Sequence, residues 1–145
     1  MGSDARLEKS ITLPDVIKHI QHAIQSPSET FFICYGRKLN SKSHGLVEIS
    51  MEGCILKIHS LPKEVWSEMK DPRHMTFGRG DRIFVADCTS DRVITFDSEL
   101  QVKQILLNRL KNSIQMPYRV CYIEDKKYLI VVHTFGYKVD VYKCC

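Results

Sequence analysis

The chain of 145 residues has 21 Lys and Arg against 17 Asp and Glu, which gives a formal net charge of +4. A charge this small gives no overall indication of nucleic-acid binding, and no apolar run is long enough to span a membrane. The six cysteines form no Cys-x-x-Cys pair, which excludes the common structural zinc sites. No cofactor is therefore expected, and the absence of a signal-peptide pattern predicts a reduced, cytoplasmic protein.

Residues 1–13 are mostly polar and are predicted to form a flexible tail or lead-in before a single domain over 14–145. The segment Asp15–Gln25 fits two structures. Its apolar residues recur at helical spacing behind a capping Asp, whereas the Ser-Pro-Ser-Glu turn that follows favours a strand over His22–Gln25. We prefer the strand, and a short helical turn over Asp15–His19 is compatible with either structure.

The stretch Asp71–Leu107 contains four short apolar runs, each followed by turn residues. The runs are rich in β-branched and aromatic residues, and Gly, Asp and Ser separate them, which is typical of a small antiparallel meander. The predicted strands are His74–Phe77, Ile83–Ala86, Arg92–Phe96 and Val102–Leu107. Four strands in about forty residues have the size of one propeller blade.

Two further copies of this pattern flank the stretch. Ile20–Tyr35 aligns without gaps to Pro72–Asp87, so that His22 and His74 share one position, and Pro117–His133 aligns with one extra residue in the first turn. Further strands are expected at Leu46–Met51, Cys54–Leu61 and Tyr137–Tyr142, with the polar segment Gly36–Gly45 as a loop. The sequence therefore predicts three repeats, at about 20–61, 72–108 and 117–145.

The central repeat resembles an NHL repeat. The resemblance covers the whole repeat and is most specific at Val85–Asp87 and Asp91–Val93. The family usually has Asn where this chain has Asp91, and Gly where it has Ser98 and Glu99. The resemblance implies an all-β fold, a partial β-propeller of about three NHL-type four-stranded antiparallel blades in an open arc or half ring.

A closed ring requires more blades than this chain provides. Six blades of about forty residues need roughly 240 residues. The chain is therefore a fragment of a longer protein, pairs with a second copy, or folds as an open arc. An open arc has an unpaired sheet edge at each end, and such edges favour self-association.

Asp87 and Arg92 occur as a pair in the NHL family, and a structural role within the blade is predicted for both. A carboxylate at the end of a strand accepts backbone N–H groups across the following loop. A guanidinium at the start of the next strand bridges to a neighbouring carboxylate or carbonyl. The other two repeats have Tyr35 and His133 in place of the Asp, so they are expected to lack this Asp-mediated lock.

The strand order predicts which loops share a side of the arc. The loops between second and third strands lie on the same side as the connections between blades, which we call the linker face. The remaining turns lie on the opposite side, the turn face, which is expected to be more acidic. The linker face collects cations from separate blades, one histidine expected to contact a ligand and two aromatic residues suited to stacking. The candidate ligand-binding residues are Arg37, Lys38, Lys42, His44, Arg109, Lys111, Phe135, Tyr137 and Lys138.

The motifs of known enzyme classes are absent from this sequence. No nucleophile elbow, phosphate-binding loop or metal-binding His pair occurs, so no catalytic residue is predicted. The NHL resemblance implies a non-catalytic platform for a protein partner, as in the substrate-recognition propeller of tripartite-motif ubiquitin ligases of invertebrates. Binding of single-stranded RNA is the alternative, and an enzymatic propeller is a more distant one. The RING and B-box patterns of those ligases are missing here, so the chain alone is expected to lack ligase activity.

Overall fold

The computed structural model describes residues 4–15, 17–37, 40–60, 69–134 and 136–144, with the backbone alone for residues 37, 40–43 and 60. One short helix, α1 (Arg109–Asn112), is present in these ranges. The strands there are β1 (Ile20–Gln25), β2 (Phe31–Arg37), β3 (Asn40–Ile49), β4 (Ile55–Ser60), β5 (Pro72–Phe77), β6 (Ile83–Asp87), β7 (Arg92–Phe96), β8 (Val102–Leu107), β9 (Arg119–Ile123), β10 (Tyr128–His133) and β11 (Lys138–Lys143). The prediction of an all-β fold is confirmed.

The strands form three antiparallel sheets in which consecutive strands are neighbours. The first sheet has the order β1-β2-β3-β4, the second β5-β6-β7-β8, and the third β9-β10-β11 among the described residues. The first strands β1, β5 and β9 lie beside one another, so each sheet begins at a shared inner side and extends outward. Ile20–Gln25 is a strand, which decides against the helical alternative for this segment.

The third strand of the first sheet starts earlier than its sequence suggests. The predicted loop Gly36–Gly45 is wrong, because Asn40–Ile49 is one continuous strand that pairs with β2 as far as the partners Arg37 and Asn40. Within it, a Cβ atom at Gly45 would lie 2.3 Å from the backbone oxygen of His59 on β4. Glycine is required there because the two strands approach so closely.

Apolar side chains on alternating positions of each strand join the sheets face to face. On β2, Phe32 and Cys34 face the second sheet, whereas Ile33 and Tyr35 face the opposite side. The cluster between the first and second sheets contains the fully buried Phe96, and a second cluster fills the space between the second and third sheets. Packing between sheets therefore supplies most of the buried core.

The face of the first sheet that points away from the second sheet is covered by the segment that precedes β1. Ile17 is buried there, and Ile11 and Leu13 from the segment before β1 pack against the same cluster. A Cβ atom on Gly53 would lie 2.7 Å from Cγ2 of Ile11. Within the predicted tail of residues 1–13, the end nearest β1 therefore packs on the sheet.

The recurring histidines connect neighbouring sheets at the inner strands. The backbone N–H of Met75 on β5 donates to Nδ1 of His22 on β1, at 3.2 Å, and that of Val120 on β9 donates to Nδ1 of His74 on β5, also at 3.2 Å. The two imidazole rings lie 3.7 Å apart between centroids. Each ring therefore accepts a hydrogen bond from the next sheet, and acceptance at Nδ1 requires a neutral ring.

This arrangement predicts a loss of stability in mild acid. Burial, with the nearby charges of His22 and Arg119, lowers the pKa of His74 to about 4. Because this pKa lies below the unfolded value, the unfolded chain binds more protons between pH 6.5 and pH 4, and stability falls as the pH is lowered through that window. Discounted for the half-exposed position, the loss is on the order of 1–2 kcal/mol.

Urea denaturation of the wild type and of His74→Asn at pH 7.5 and at pH 5 checks this expectation. Asparagine retains an acceptor for the Val120 N–H but does not titrate in this range. The variant is expected to lose less stability than the wild type between the two pH values. Equal losses in the two proteins would show that His74 does not carry the effect.

Candidate functional site

The connection between the second and third sheets presents a short helix on the linker face. The side chain of Asn108 accepts the N–H of Lys111 at 2.8 Å, which caps α1, and Ser113 ends the helix in a left-handed conformation. The helix points Leu110 into solvent with 97% of its surface exposed, between Arg109 and Lys111. An apolar side chain flanked by two cations thus projects from this face.

Asp91 ties the same connection to the loop between β6 and β7. Its carboxylate accepts the N–H of Met116 at 2.8 Å, and Nη1 of Arg109 lies 3.7 Å from the other carboxylate oxygen. The residue has a positive φ of 58°, a conformation that Asn and Asp adopt more readily than most other residues. This geometry is compatible with an Asp at this position.

Asp87 is fully buried and fixes the connection that precedes β5. Its carboxylate accepts the backbone N–H groups of Lys70 and Asp71 and the hydroxyl of Ser90. Burial raises the pKa of Asp87, while these hydrogen bonds act in the opposite direction. Arg92 stands directly opposite Asp87 in the β6–β7 register. The carboxylate thus contacts both the preceding connection and the following loop.

The third sheet replaces this carboxylate by an imidazole. His133, only 1% exposed, accepts the N–H of Gln115 at Nδ1, at 3.3 Å, and its Nε2 lies 2.8 Å from a carboxylate oxygen of Asp140. Gln115 occupies the position of Lys70 in the repeat. The third sheet lacks the Asp-mediated contact, as predicted. His133 nevertheless accepts the backbone N–H at the corresponding position of the connection that precedes the sheet.

His44 does not lie where the sequence placed it. The residue is on β3, is only 2% exposed, and its Nε2 makes a hydrogen bond with the carbonyl oxygen of Met69. The early start of β3 brings position 44 into the ladder and turns its ring inward. The expectation that His44 contacts a ligand on the surface is therefore wrong.

The other predicted site residues divide according to what the structure describes. Lys38 and Phe135 lie outside the described residues, and Arg37 and Lys42 are described by their backbone on β2 and β3. The remaining four are exposed and lie at or just beyond the ends of strands on the linker face: Arg109, Lys111, Tyr137 and Lys138. Tyr137 is the most open of the aromatic side chains in the described ranges, with 87% of its surface exposed.

Sequence reasoning missed a cleft at the opposite end of the sheets. A cavity of about 830 Å³ lies between the second and third sheets on the turn face, and its lining includes Arg79, Arg82, Lys103 and Lys143. The sequence signal was the pair of arginines in one tight turn, Gly78–Arg82. The net charge of the whole turn face does not show this local excess of cations.

Two features of other functional classes are missing from the described residues. In these ranges no group of three or more His, Cys, Asp or Glu side chains is arranged to hold a metal ion. No helix in the same part of the chain is long and apolar enough to cross a membrane. The exposed linker face and the cleft on the turn face are two candidate binding sites among the described residues.

Comparison with solved structures finds the same arrangement of sheets in other proteins. Virginiamycin B lyase from Staphylococcus aureus superposes with a TM-score of 0.61 at 12% identity, over 93% of this chain and 44% of that one. A luciferin-regenerating enzyme gives a TM-score of 0.64 at 14% identity, over 86% of this chain and 46% of that one. These proteins are β-propellers. The chain has a β-propeller fold.

This propeller chain spans less than half the length of those two enzymes. It also resembles the WD40 domain of Neurospora crassa Pan2, with a TM-score of 0.52 at 13% identity, over 86% of this chain and 36% of that domain. No family model and no curated protein sequence matches the chain. At such low identities the comparisons establish the fold, and the function has to be argued from the chain's own surface.

Proposed function

We propose that this chain is a non-catalytic, cytoplasmic binding platform of the NHL type, which takes a protein partner on its linker face. The observation that carries the proposal is the exposure there of two large side chains, Leu110 at 97% and Tyr137 at 87%, among cations. Aromatic residues are enriched at protein–protein interfaces, and exposed apolar side chains there become buried when a partner binds. The proposal needs no cofactor.

The proposed contact surface consists of α1 and the start of β11. Arg109, Leu110 and Lys111 come from the connection between the second and third sheets. Tyr137 directly precedes β11, and Lys138 is its first residue. The loop is held against the connection because the N–H of Thr134 donates to the carbonyl of Gln115. Arg37, Lys38, Lys42 and Phe135 belong to the proposed surface on sequence grounds.

This surface is better suited to binding a protein than to binding single-stranded RNA. Sequence-tolerant RNA binding uses several aromatic side chains on which successive bases stack. Tyr137 is the one strongly exposed aromatic residue on the described part of the linker face, whereas Leu110 offers a contact that proteins bury and RNA does not. The NHL resemblance makes a substrate of a tripartite-motif type ubiquitin ligase the proposed class of partner, with the RING part supplied elsewhere.

A variant with Leu110→Ser, Tyr137→Ser and Lys138→Glu tests the proposal. These side chains are exposed, so the variant is expected to fold normally, while binding to a partner isolated with the wild type weakens by tenfold or more, about 1.4 kcal/mol. Affinity purification with quantitative mass spectrometry identifies the partner, and titration of the purified partner gives the affinity. Lys126→Glu with Lys127→Glu, on the turn face, is the matched control.

Two outcomes decide against a protein platform on this surface. Partner affinities that are equal in the wild type and the triple variant would exclude the surface. Tight binding of an oligouridine, with a log–log salt slope of about −0.7 for each phosphate contact, would select the RNA alternative.

A further inference from the structure

The three inner strands carry a row of polar side chains at one repeat position. His22 on β1, His74 on β5 and Arg119 on β9 occupy it, each in the half of its strand nearer the linker face. The imidazole rings of His22 and His74 lie 3.7 Å apart between centroids, with 30° between their planes. Because the inner strands are neighbours, these side chains follow one another along the inner side of the arc.

Each histidine of the row has a hydrogen-bond donor that the described chain does not use. Nδ1 of both rings accepts a backbone N–H from the next sheet, so the ring proton is on Nε2. Neither Nε2 makes a hydrogen bond with a described residue, and neither is among the buried atoms without a partner. Both rings are half-buried. The two Nε2–H groups are therefore donors that are open to solvent.

Arg119 brings a positive charge close to both rings. Burial is the main cause of the lowered pKa of His22 and of His74, and the charge of Arg119 contributes to both shifts. The guanidinium makes no ion pair with a carboxylate in the described ranges, and the residue is exposed. Because the two rings are neutral at pH 7, the row carries the single charge of Arg119.

A largely apolar cavity adjoins the row at the linker face. Its volume is about 270 Å³, and its lining consists of Arg73, Cys88, Met116 and Tyr118. The guanidinium carbon of Arg119 lies 5.6 Å from the ring centroid of Tyr118, which places the cation next to the cavity. The charge of Arg73 is balanced by Asp71, whose carboxylate lies 3.1 Å from its Nε. The cavity thus adds apolar surface beside the donors and no net charge.

We propose that the row and this cavity, together the inner groove, bind a small organic acid through its carboxylate. Two neutral N–H donors and one guanidinium match a group with two acceptor oxygens and one negative charge. The apolar part of the acid lies in the cavity beside Tyr118. A phosphate dianion fits less well, because the row offers one cation. Inner strands border the central channel of a closed propeller too, so the groove does not depend on how many sheets follow.

Titration of the full chain with benzoate at pH 7.5, followed by the ¹H–¹⁵N signals of the imidazole rings, is the direct test. Saturable shifts of the His22 and His74 Nε2 signals are expected, with a Kd on the order of 1 mM. Arg119→Gln removes the cation from an exposed position and is expected to weaken binding at least tenfold, about 1.4 kcal/mol. Lys126→Gln removes an exposed cation on the turn face and should change the Kd by less than about twofold.

Two further ligands separate the carboxylate from other causes of binding. Benzamide has the same ring without the charge, and it should bind at least tenfold more weakly than benzoate. Inorganic phosphate should also bind more weakly at this pH. Phosphate that binds as tightly as benzoate would make the groove a general anion site and overturn the assignment to an organic acid. The absence of saturable shifts at benzoate concentrations well above about 1 mM, or equal affinities of the wild type and Arg119→Gln, would overturn it as well.

Discussion

Replacing Asp87 by alanine is expected to lower the free energy of unfolding by about 3–5 kcal/mol. The carboxylate is fully buried, and its removal leaves the N–H groups of Lys70 and Asp71 and the hydroxyl of Ser90 without their acceptor. Each buried donor without a partner costs about 1–3 kcal/mol. Urea denaturation followed by circular dichroism, with the midpoint and slope fitted together, measures the change.

Two comparison variants separate the hydrogen bonds from the loss of a charge. Asp87→Asn keeps one acceptor oxygen and removes the buried charge, so its loss is expected to be smaller than that of the alanine variant. Asp125→Ala removes an exposed carboxylate from a turn and should change stability by no more than about 0.5 kcal/mol. If Asp87→Ala costs as little as Asp125→Ala, the buried carboxylate is not what holds the connection before β5.

Phe96→Ala is expected to be the most damaging of the core substitutions, at about 3–5 kcal/mol. The ring is completely buried between the first and second sheets, and it meets the ring of His59 edge to face with 5.1 Å between centroids. Removal leaves a cavity that two rigid sheets cannot close. Thermal unfolding monitored by calorimetry measures the loss.

Phe96→Leu refills most of that volume and should cost no more than about 1.5 kcal/mol. Tyr137→Ala removes an aromatic ring of similar size from the surface, where it is 87% exposed, and should stay within about 0.5 kcal/mol. A Phe96→Ala protein as stable as Tyr137→Ala would mean that the first and second sheets do not pack through this residue.

Local composition predicted the strands of the second sheet closely. Arg92–Phe96 and Val102–Leu107 are strands with the bounds expected from the sequence. These runs are apolar or β-branched and are bounded by turn residues, so their structure is evident without partners. The polar run Asn40–His44 has no such signal. It is part of a strand because β2 supplies the pairing partners, which local composition does not show.

The candidate sites were only partly accessible to sequence reasoning. Strand order alone groups Arg109 and Lys138 on one face, because antiparallel meanders fix the ends from which loops emerge. The sequence shows His133 at the position of the carboxylate, but it did not indicate that the imidazole would accept the Gln115 N–H there. The turn-face cleft depends on the packing distance between two sheets, which no single segment encodes.

The inner strands impose a direction on any larger assembly. His22 and His74 each give the following sheet an acceptor for a backbone N–H. Arg119 occupies the same repeat position on β9, and a guanidinium has donors but no acceptor. If a further sheet from this chain or from a second copy packed beyond β9 in the same orientation, its backbone N–H would face the guanidinium of Arg119. Both groups are hydrogen-bond donors, so neither would find an acceptor. Growth of the arc in that direction requires a carbonyl, a carboxylate or a water molecule at that position, so the two ends of the arc are chemically unequal.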